Sequence, residues 1–158
     1  MKRDVTITIN GVEYSGNIPI RMLLVDFIRD VAGLTGTHVG CTFEGQCGAC
    51  TIHLNGEAVK SCLLLAVQCH GKEITTVEGL AREGALHVLQ EEFHRHHALQ
   101  CGYCTSGMLM NAAEFITERP DADDEEIRHA LVGNICRCTG YTNIIKAISA
   151  AAKRNASV

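Results

Sequence analysis

The chain has 158 residues, which suits one compact domain or two small ones, and 46% of them are hydrophobic, which supports a buried core. A formal charge of −4 without a long basic run argues against a nucleic-acid-binding surface. No apolar stretch approaches the roughly 18 residues of a membrane span, and the first residues lack the apolar core of a signal peptide. We therefore expect a soluble cytoplasmic protein.

The first half of the chain contains two hairpin signals and one helical period. Each hairpin signal is a pair of strand-like segments joined by Asn-Gly, which strongly favours a two-residue turn. A glycine-punctuated segment over 33–48 lies between them. The predicted elements are strands at 5–9 and 12–14, a helix at 22–30, a hairpin at 51–60 and a closing strand at 72–77. Strands around one helix predict a small α+β domain.

The spacing of apolar residues changes in the second half. Apolar side chains there recur three and four positions apart, which predicts helices. Asp123 followed by Glu126 has the spacing of a capping box, so one helix is expected to begin there. The predicted helices lie at 86–93, 108–116, 127–131 and 144–148. Four helices of this length suit a small bundle, and we place the boundary between the halves near 77–79.

Nine cysteines are too many for an ordinary domain in a reducing compartment, where clustered cysteines are typically metal ligands or catalytic thiols. The first set has the spacing C-x5-C-x2-C-x11-C and comprises Cys41, Cys47, Cys50 and Cys62. This spacing is similar to the plant-type [2Fe–2S] pattern, C-x4-C-x2-C with a distant fourth cysteine. Gly40, Gly45 and Gly48 favour close approach of the backbone to the sulfurs.

The second set contains a C-x2-C pair and a C-x-C pair, each preceding a predicted helix: Cys101 and Cys104, then Cys136 and Cys138. Thiolates at helix N-termini are stabilised by free N–H groups and by the positive end of the helix dipole. A site clamped between two helix starts is therefore expected. The C-x-C spacing is unusual for structural zinc.

The motifs around both sets resemble one family. Gly40-Cys41, CGACT at 47–51, QCGYCT at 100–105 and GNICRCTGY at 133–141 are similar to segments of the small iron–sulfur subunit of the molybdenum hydroxylases. That family includes xanthine dehydrogenases, aldehyde oxidoreductases and aerobic carbon monoxide dehydrogenases. The resemblance extends from about residue 5 to 151, and the CRCTGY segment is highly specific.

The resemblance implies an α+β fold, with an N-terminal β-grasp, plant-type ferredoxin-like domain over 1–77 and a C-terminal all-α four-helix bundle over 78–158. It implies two [2Fe–2S] clusters. The outer one is held by Cys41, Cys47, Cys50 and Cys62, and the inner one by Cys101, Cys104, Cys136 and Cys138.

The resemblance also implies partners. Gln100 and Cys138 would contact the molybdopterin of a large subunit, and the outer cluster would face a medium flavin (FAD) subunit or another acceptor. The implied function is a relay of electrons from the molybdopterin centre through both clusters, within a dimer of heterotrimers. The chain itself has no substrate site and no catalytic residue in this interpretation.

Three residues depart from the family pattern. The loop between Cys41 and Cys47 is one residue longer than usual. Tyr103 stands where Phe is common and is expected to donate a hydrogen bond near the inner cluster. Ser106 stands where Pro is common, and serine also suits a helix start.

Two other classes of function remain open from the sequence. A self-standing ferredoxin-type carrier would explain the first half, and a zinc-stapled interaction module would explain the cysteines without redox chemistry. A thioredoxin-like dithiol at Cys101 and Cys104 lacks a surrounding βαβ pattern.

Other residues with metal-binding or charged side chains have structural interpretations. Cys69 is expected to be a structural thiol. The histidines at 94, 96 and 97 are expected at a solvated helix end, without a metalloprotease motif. Arg137 is interpreted either as a contributor to the inner site or as a surface ion-pair partner.

Overall fold

The computed structural model describes residues 1–155 and has a mixed α/β architecture. Its strands are β1 (Lys2–Ile9), β2 (Val12–Pro19), β3 (Thr51–Leu54), β4 (Glu57–Lys60) and β5 (Glu73–Thr75). Its α-helices are α1 (Leu24–Asp26), α2 (Val88–Arg95), α3 (Thr105–Glu118), α4 (Asp124–Ala130) and α5 (Thr142–Asn155). Both predicted Asn-Gly hairpins and all four predicted helices of the second half are confirmed.

The five strands form one mixed sheet in the order β2-β1-β5-β3-β4. β1 runs parallel to β5, whereas the other neighbours are antiparallel. The structure extends β2 to Pro19, well beyond the predicted 12–14, because β2 pairs with the whole of β1. Little in the sequence indicates this extension, because β2 is a mostly exposed edge strand without apolar alternation.

The segment predicted as a helix at 22–30 is helical over residues 24–31, but most of it is not α-helical. One α-helical turn, α1, passes directly into a π-helical turn at Phe27–Val31, in which the Ala32 N–H donates to the Phe27 carbonyl. The predicted closing strand at 72–77 is also shorter than expected, as β5 ends at Thr75. A short 3₁₀ turn at Val77–Gly79 follows it.

The two larger apolar clusters form separate cores. Residues from β1, β3, β5, α1 and the π-helical turn pack together, with Ile7, Ile9, Phe27, Ile28 and Ile52 completely buried. The second cluster lies among α2, α3, α4 and α5. Its largest fully buried side chains are Leu89, Phe93, Met108, Met110 and Ile116. The predicted capping box exists, because the Asp123 carboxylate accepts from the N–H groups of Glu125 and Glu126 at 2.9 Å.

Helix α3 lies against the sheet and joins the two halves. His53 Nε2 bonds to the Met110 carbonyl at 2.7 Å, and the Ala58 N–H donates to the Glu114 carboxylate at 2.8 Å. The sheet and the helices therefore have a fixed contact next to the cysteine segments. Among residues 1–155, no helix is both long and apolar enough to cross a membrane.

Candidate iron–sulfur sites

The first cysteine set lies on the loop before β3 and on the turn after β4. Cys41 and Cys47 are half-buried, whereas Cys50 and Cys62 are buried. Two hydrogen bonds hold the buried pair together, because the N–H and the hydroxyl of Ser61 both donate to the Cys50 carbonyl, at 3.2 and 2.7 Å. The turn that carries Cys62 is thereby fixed against Cys50.

An apolar wall covers the buried side of this first set. Val25 of α1 is completely buried against Cys50 and Cys62, and Leu23 and Val39 pack on the same cluster. The α1 turn is held there by the Leu24 N–H, which donates to the Leu64 carbonyl at 2.8 Å. The wall excludes water from one side of the site.

The thiols of the first set have contrasting acidities. The pKa of the Cys41 thiol is lowered to about 7, chiefly because the Cys47 N–H donates to its sulfur. Burial raises the pKa of the Cys50 thiol to about 12, and contact with the Cys62 thiol adds to this. Backbone N–H donors thus stabilise the thiolate form of Cys41 at the exposed side of the site. The buried Cys50 thiol becomes a thiolate only when a cation compensates its negative charge.

Gly40 makes the close approach to a cysteine sulfur that the sequence predicts, whereas Gly45 approaches the Leu63 side chain and Gly48 approaches the backbone of Gly133. A Cβ atom on Gly40 would lie 3.2 Å from Cys47 Sγ, and one on Gly48 would lie 2.3 Å from the Gly133 carbonyl oxygen. Gly48 also has a φ of +71°, which side-chain-bearing residues rarely adopt. Any larger residue at 48 would push the first loop away from the second cysteine set.

The longer loop between Cys41 and Cys47 is accommodated by a strained turn. Thr42 and Phe43 both adopt left-handed backbone conformations, with φ of 49° and 67°. Such conformations are costly for β-branched and bulky residues. The turn leaves Phe43 45% exposed beside Cys41. The extra residue thus alters the surface of the loop and removes no cysteine.

The second cysteine set also consists of an exposed pair and a more buried pair. Cys101 and Cys138 are exposed, and their sulfur atoms are 3.6 Å apart. Cys104 is half-buried and its thiol contacts that of buried Cys136. Only Cys104 occupies a helix N-terminus, as the N-cap of α3. The expectation of a second helix start at the C-x-C pair is wrong, because α5 begins at Thr142, beyond the turn that follows Cys138.

The buried pair of the second set also differs in acidity. Burial, and then the Cys136 thiol, raise the pKa of Cys104 to about 12. Burial acts in the same direction on Cys136, but the Thr139 hydroxyl and the Thr139 and Cys138 N–H groups lower the pKa of Cys136 overall. Thiolate charge is therefore favoured at Cys136.

A cavity of about 190 Å³ lies at the second set and reaches the first. All four cysteines of the second set line it, and so do Gly40, Cys47 and Ala49 from the first loop. The Cys47 carbonyl accepts a 2.8 Å hydrogen bond from the N–H of Ile135, the residue before Cys136. One hydrogen bond thus joins a cysteine of the first set to the backbone of the second.

The donor set fits [2Fe–2S] clusters. In such a cluster four thiolates bind two irons, two on each. Each set here is divided into two contacting pairs: Cys41 with Cys47, Cys50 with Cys62, Cys101 with Cys138, and Cys104 with Cys136. A site for a single metal ion would need three or more His, Cys, Asp or Glu side chains around one point. No such group occurs within residues 1–155.

An orphaned hydroxyl lies beside the second set. Thr105 follows Cys104 directly, and its buried Oγ1 has no hydrogen-bond partner in the described residues. A buried donor without a partner typically costs about 1–3 kcal/mol. A sulfur-rich group next to Cys104 would provide an acceptor, so this observation also agrees with an occupied site.

The other residues predicted from the sequence lie as follows. Gln100 is exposed next to Cys101, and Arg137 is exposed and lines the second-set cavity. Within 1–155, Arg137 forms none of the ion pairs seen between side chains. Cys69 is confirmed as a buried thiol of the sheet core, away from both sets. His96 contacts Glu92 at the end of α2.

Tyr103, which the sequence singled out, holds the two sets together with His38 and Asn134, whose roles were not recognised from the sequence. His38 and Tyr103 stack with ring centroids 4.5 Å apart. The Tyr103 hydroxyl donates to the Val39 carbonyl at 2.8 Å, so its hydrogen bond goes to the first loop and not to a sulfur. Buried Asn134 donates to the Gly48 carbonyl at 3.1 Å. Sequence motifs place these residues beside cysteines but do not pair them.

Comparison with known proteins gives consistent matches. Residues 76–149 match a family model described as a [2Fe-2S] binding domain. The chain is 52% identical over 147 residues to the caffeine dehydrogenase subunit gamma of Pseudomonas sp. (strain CBB1), with 91% of this chain and 87% of that protein covered. It is 48% identical over 145 residues to the nicotine 6-hydroxylase small subunit of Paenarthrobacter nicotinovorans, with 92% and 87% covered.

Solved structures with the same fold include two oxidoreductases. Quinoline 2-oxidoreductase from Pseudomonas putida 86 matches with a TM-score of 0.90 and 47% identity, over 99% of each chain. The aldehyde oxidoreductase from Desulfovibrio desulfuricans ATCC 27774 matches with a TM-score of 0.91 and 35% identity. That match covers 98% of this chain but 17% of the longer one.

Proposed function

Since the chain belongs to the family of small iron–sulfur subunits of the molybdenum hydroxylases, and so is an electron-transfer subunit of an oxidoreductase complex, we propose a specific route for its electrons. Electrons leave the molybdopterin centre of a large subunit and enter at Cys101 and Cys138. They leave from the Cys41 edge towards a flavin subunit or another acceptor. The chain provides the path between these two faces and performs no substrate chemistry.

The contact between Cys47 and Ile135 carries this proposal. Cys47 belongs to the first set, lines the cavity of the second, and accepts the Ile135 N–H at 2.8 Å. Cys136 follows Ile135 in the chain. A ligand of one site is therefore connected to a ligand of the other by one hydrogen bond and a short run of covalent bonds.

We assign Cys41, Cys47, Cys50 and Cys62 as ligands of an outer [2Fe–2S] cluster, and Cys101, Cys104, Cys136 and Cys138 as ligands of an inner one. When bound, each cluster supplies a one-electron donor and acceptor. The chain holds the thiolates in pairs and directs backbone N–H groups at Cys41 and Cys136. The side chains of Val25, Leu23 and Val39 exclude water from the outer site. Because the ligands are thiolates, loading the sites releases protons.

Gln100 and Cys138 are proposed to contact the pterin held by the large subunit. Both residues are exposed in the isolated chain, as is Cys101. The hydrophobic shell around a metal site controls its solvent access, so a partner that covers these thiolates would shield them from water. The exposed apolar side chains Leu99 and Tyr103 flank these residues and suit burial in such an interface. We propose that the assembly is a dimer of heterotrimers, and its cytoplasmic location stays a prediction.

We further propose that the two halves are separate domains, a β-grasp ferredoxin-like domain over 1–77 and a four-helix bundle over 78–158. Two apolar cores support this division. The matched [2Fe-2S] binding model begins at residue 76, close to the proposed boundary.

The substrate of the whole complex is proposed to be an N-heteroaromatic compound. Caffeine, nicotine and quinoline appear in the names of two relatives and one solved structure, and each contains a nitrogen heteroaromatic ring. The other named class is the aldehydes. Assay of the purified complex with quinoline, nicotinate and benzaldehyde would decide between the classes.

Metal analysis and electron paramagnetic resonance of the complex purified with its partners test the electron route. We expect about four irons and four inorganic sulfides per chain, and two distinct signals after reduction. A chain that purified alone would favour a free ferredoxin-type carrier. Bound zinc with no paramagnetic signal would favour the interaction module. Iron for a single cluster in a fully loaded complex would contradict the two-cluster assignment.

A further inference from the structure

The turn that follows the C-x-C pair directs a hydroxyl at a cysteine sulfur. Thr139 Oγ1 lies 3.2 Å from Cys136 Sγ, and the Thr139 N–H lies 3.4 Å from the same sulfur. Two donors of one residue therefore converge on one thiol. Such convergence occurs where a negatively charged sulfur is to be stabilised.

The neighbouring backbone determines the direction of the hydroxyl hydrogen bond. The Tyr141 N–H donates to Thr139 Oγ1 at 3.1 Å, and an N–H group can only donate. A thiolate ligand at Cys136 has no proton and can only accept. The Thr139 hydroxyl proton is therefore the one shared between the two atoms, and it points to the sulfur.

The turn is held rigidly enough to keep this geometry. The Tyr141 hydroxyl accepts from the Cys136 N–H at 2.8 Å and donates to the Asn134 carbonyl at 3.2 Å. Tyr141 also adopts a left-handed conformation, with φ of 67°. A strained residue anchored at both ends fixes the Thr139 side chain in place.

Hydroxyls at the first cysteine set act differently. The Thr51 hydroxyl donates to the Gly48 carbonyl and the Ser61 hydroxyl to the Cys50 carbonyl, both at 2.7 Å. Their protons go to backbone oxygens and not to sulfur. Backbone N–H groups donate to sulfur in both sets, so the two sites differ in the side-chain hydroxyl that donates to Cys136. Hydrogen bonding to the sulfurs is one feature that sets the potential of an iron–sulfur cluster.

We propose that Thr139 is a positioning residue that raises the reduction potential of the inner cluster by donating its hydroxyl proton to Cys136 Sγ. This inference rests on the proposed function. A hydrogen bond to sulfur stabilises the reduced, more negative state over the oxidised one. It therefore makes the inner site a better acceptor for electrons that arrive from the large subunit.

The test uses the complex purified with its partners and follows both clusters in one redox titration by paramagnetic resonance. Thr139→Val removes the hydroxyl and keeps the shape, and Thr139→Ser keeps the hydroxyl. We expect the valine variant to lower the potential of one signal only, changing its one-electron equilibrium by about three- to tenfold, where tenfold corresponds to about 59 mV. The serine variant keeps the original potential.

Thr117→Val is the matched control, because the Thr117 hydroxyl donates to the Ala113 carbonyl within α3 and touches no cysteine. Equal potentials in the valine and serine variants, or equal shifts of both signals, would overturn the inference. If the valine variant loses one cluster, the serine variant still tests the inference. A lowered potential in the serine variant, which keeps the hydroxyl, would mean that packing and not the hydrogen bond sets the potential.

Failure of this inference is distinguishable from failure of the proposed function. Missing iron or a single signal in the unmodified complex would contradict the two-cluster relay itself. Two normal signals that do not respond to Thr139→Val would contradict only the role of Thr139.

Discussion

Gly107 of α3 packs directly on the carbonyl of Gly48. A Cβ atom on Gly107 would lie 2.0 Å from the Gly48 carbonyl oxygen, far inside van der Waals contact. The same carbonyl accepts hydrogen bonds from Thr51 and Asn134. The first cysteine loop, β3 and the segment before the C-x-C pair therefore meet at one atom, against a helix with no side chain there.

We predict that Gly107→Ala destabilises the chain, by about 1–3 kcal/mol in the free energy of unfolding from overpacking. Alanine alone would favour a helix, so a loss of stability would identify the clash as its cause. Urea unfolding of the purified chain measures the change. Gly133→Ala is the control, since a Cβ there would approach only the Lys60 side chain, at 3.4 Å. Equal stability of the two variants would contradict the packing argument.

We predict that Cys138→Ser reduces the iron content from about four to about two per chain, because serine is a poor substitute for a thiolate ligand. The first set would keep its cluster, and electrons would no longer reach the acceptor. Iron analysis and the loss of one paramagnetic signal measure this.

Cys69→Ala provides the comparison for that experiment. Cys69 is buried in the sheet core, so its replacement should change packing but keep all of the iron. Loss of iron in this variant, or full iron in Cys138→Ser, would contradict the ligand assignment.

We predict that the N-cap of α2 makes stability depend on pH. His87 Nδ1 accepts from the Leu89 N–H at 3.2 Å, and the pKa of His87 is lowered by burial and then by Arg82 and His53. The folded state therefore binds this proton less readily than the unfolded state. Neutral His87 therefore contributes fully to the free energy of unfolding above about pH 6.5, the ordinary histidine pKa. This contribution is lost as the pH falls below that value towards the lowered pKa of the folded state.

His87→Asn should remove that part of the acid sensitivity, because asparagine caps a helix without titrating in this range. Unfolding measured from pH 7.5 to 5 would show a flatter profile than the original chain. His94→Asn removes a histidine from an exposed position of the same helix and is the control. Identical profiles for the original chain and His87→Asn would refute the prediction.

We predict that Glu92→Gln lowers the free energy of unfolding by about 1.5–3 kcal/mol, the range for hydrogen bonds to charged groups. The Glu92 side chain is only 1% exposed and its carboxylate contacts Arg154 of α5 at 2.5 Å and Arg95 at 3.1 Å. Glu91→Gln is the matched control. Its carboxylate contacts the same Arg154 but is 41% exposed, so its loss should cost less than about 1 kcal/mol.

Local features of the fold could be predicted because neighbouring residues determine them. Two Asn-Gly turns, the Asp123 capping box and the amphipathic spacing of the later helices depend on interactions within a few positions. The extent of β2 and the π-helical turn at Phe27–Val31 could not be predicted. The extension of β2 depends on backbone pairing with the whole of β1, which the mostly exposed side chains of β2 do not indicate. The π-helical turn follows α1, whose Leu24 N–H donates to the carbonyl of Leu64, distant in the chain.

The sequence by itself determined which cysteines form two sets, because ligands of one cluster recur at short spacings imposed by the loops that wrap it. Only the tertiary structure decided which thiols contact each other, that Cys47 reaches Ile135, and that Thr139 points at Cys136. These contacts depend on how the sheet and α3 pack. Spacing along the chain contains no information about distances across such a packed interface.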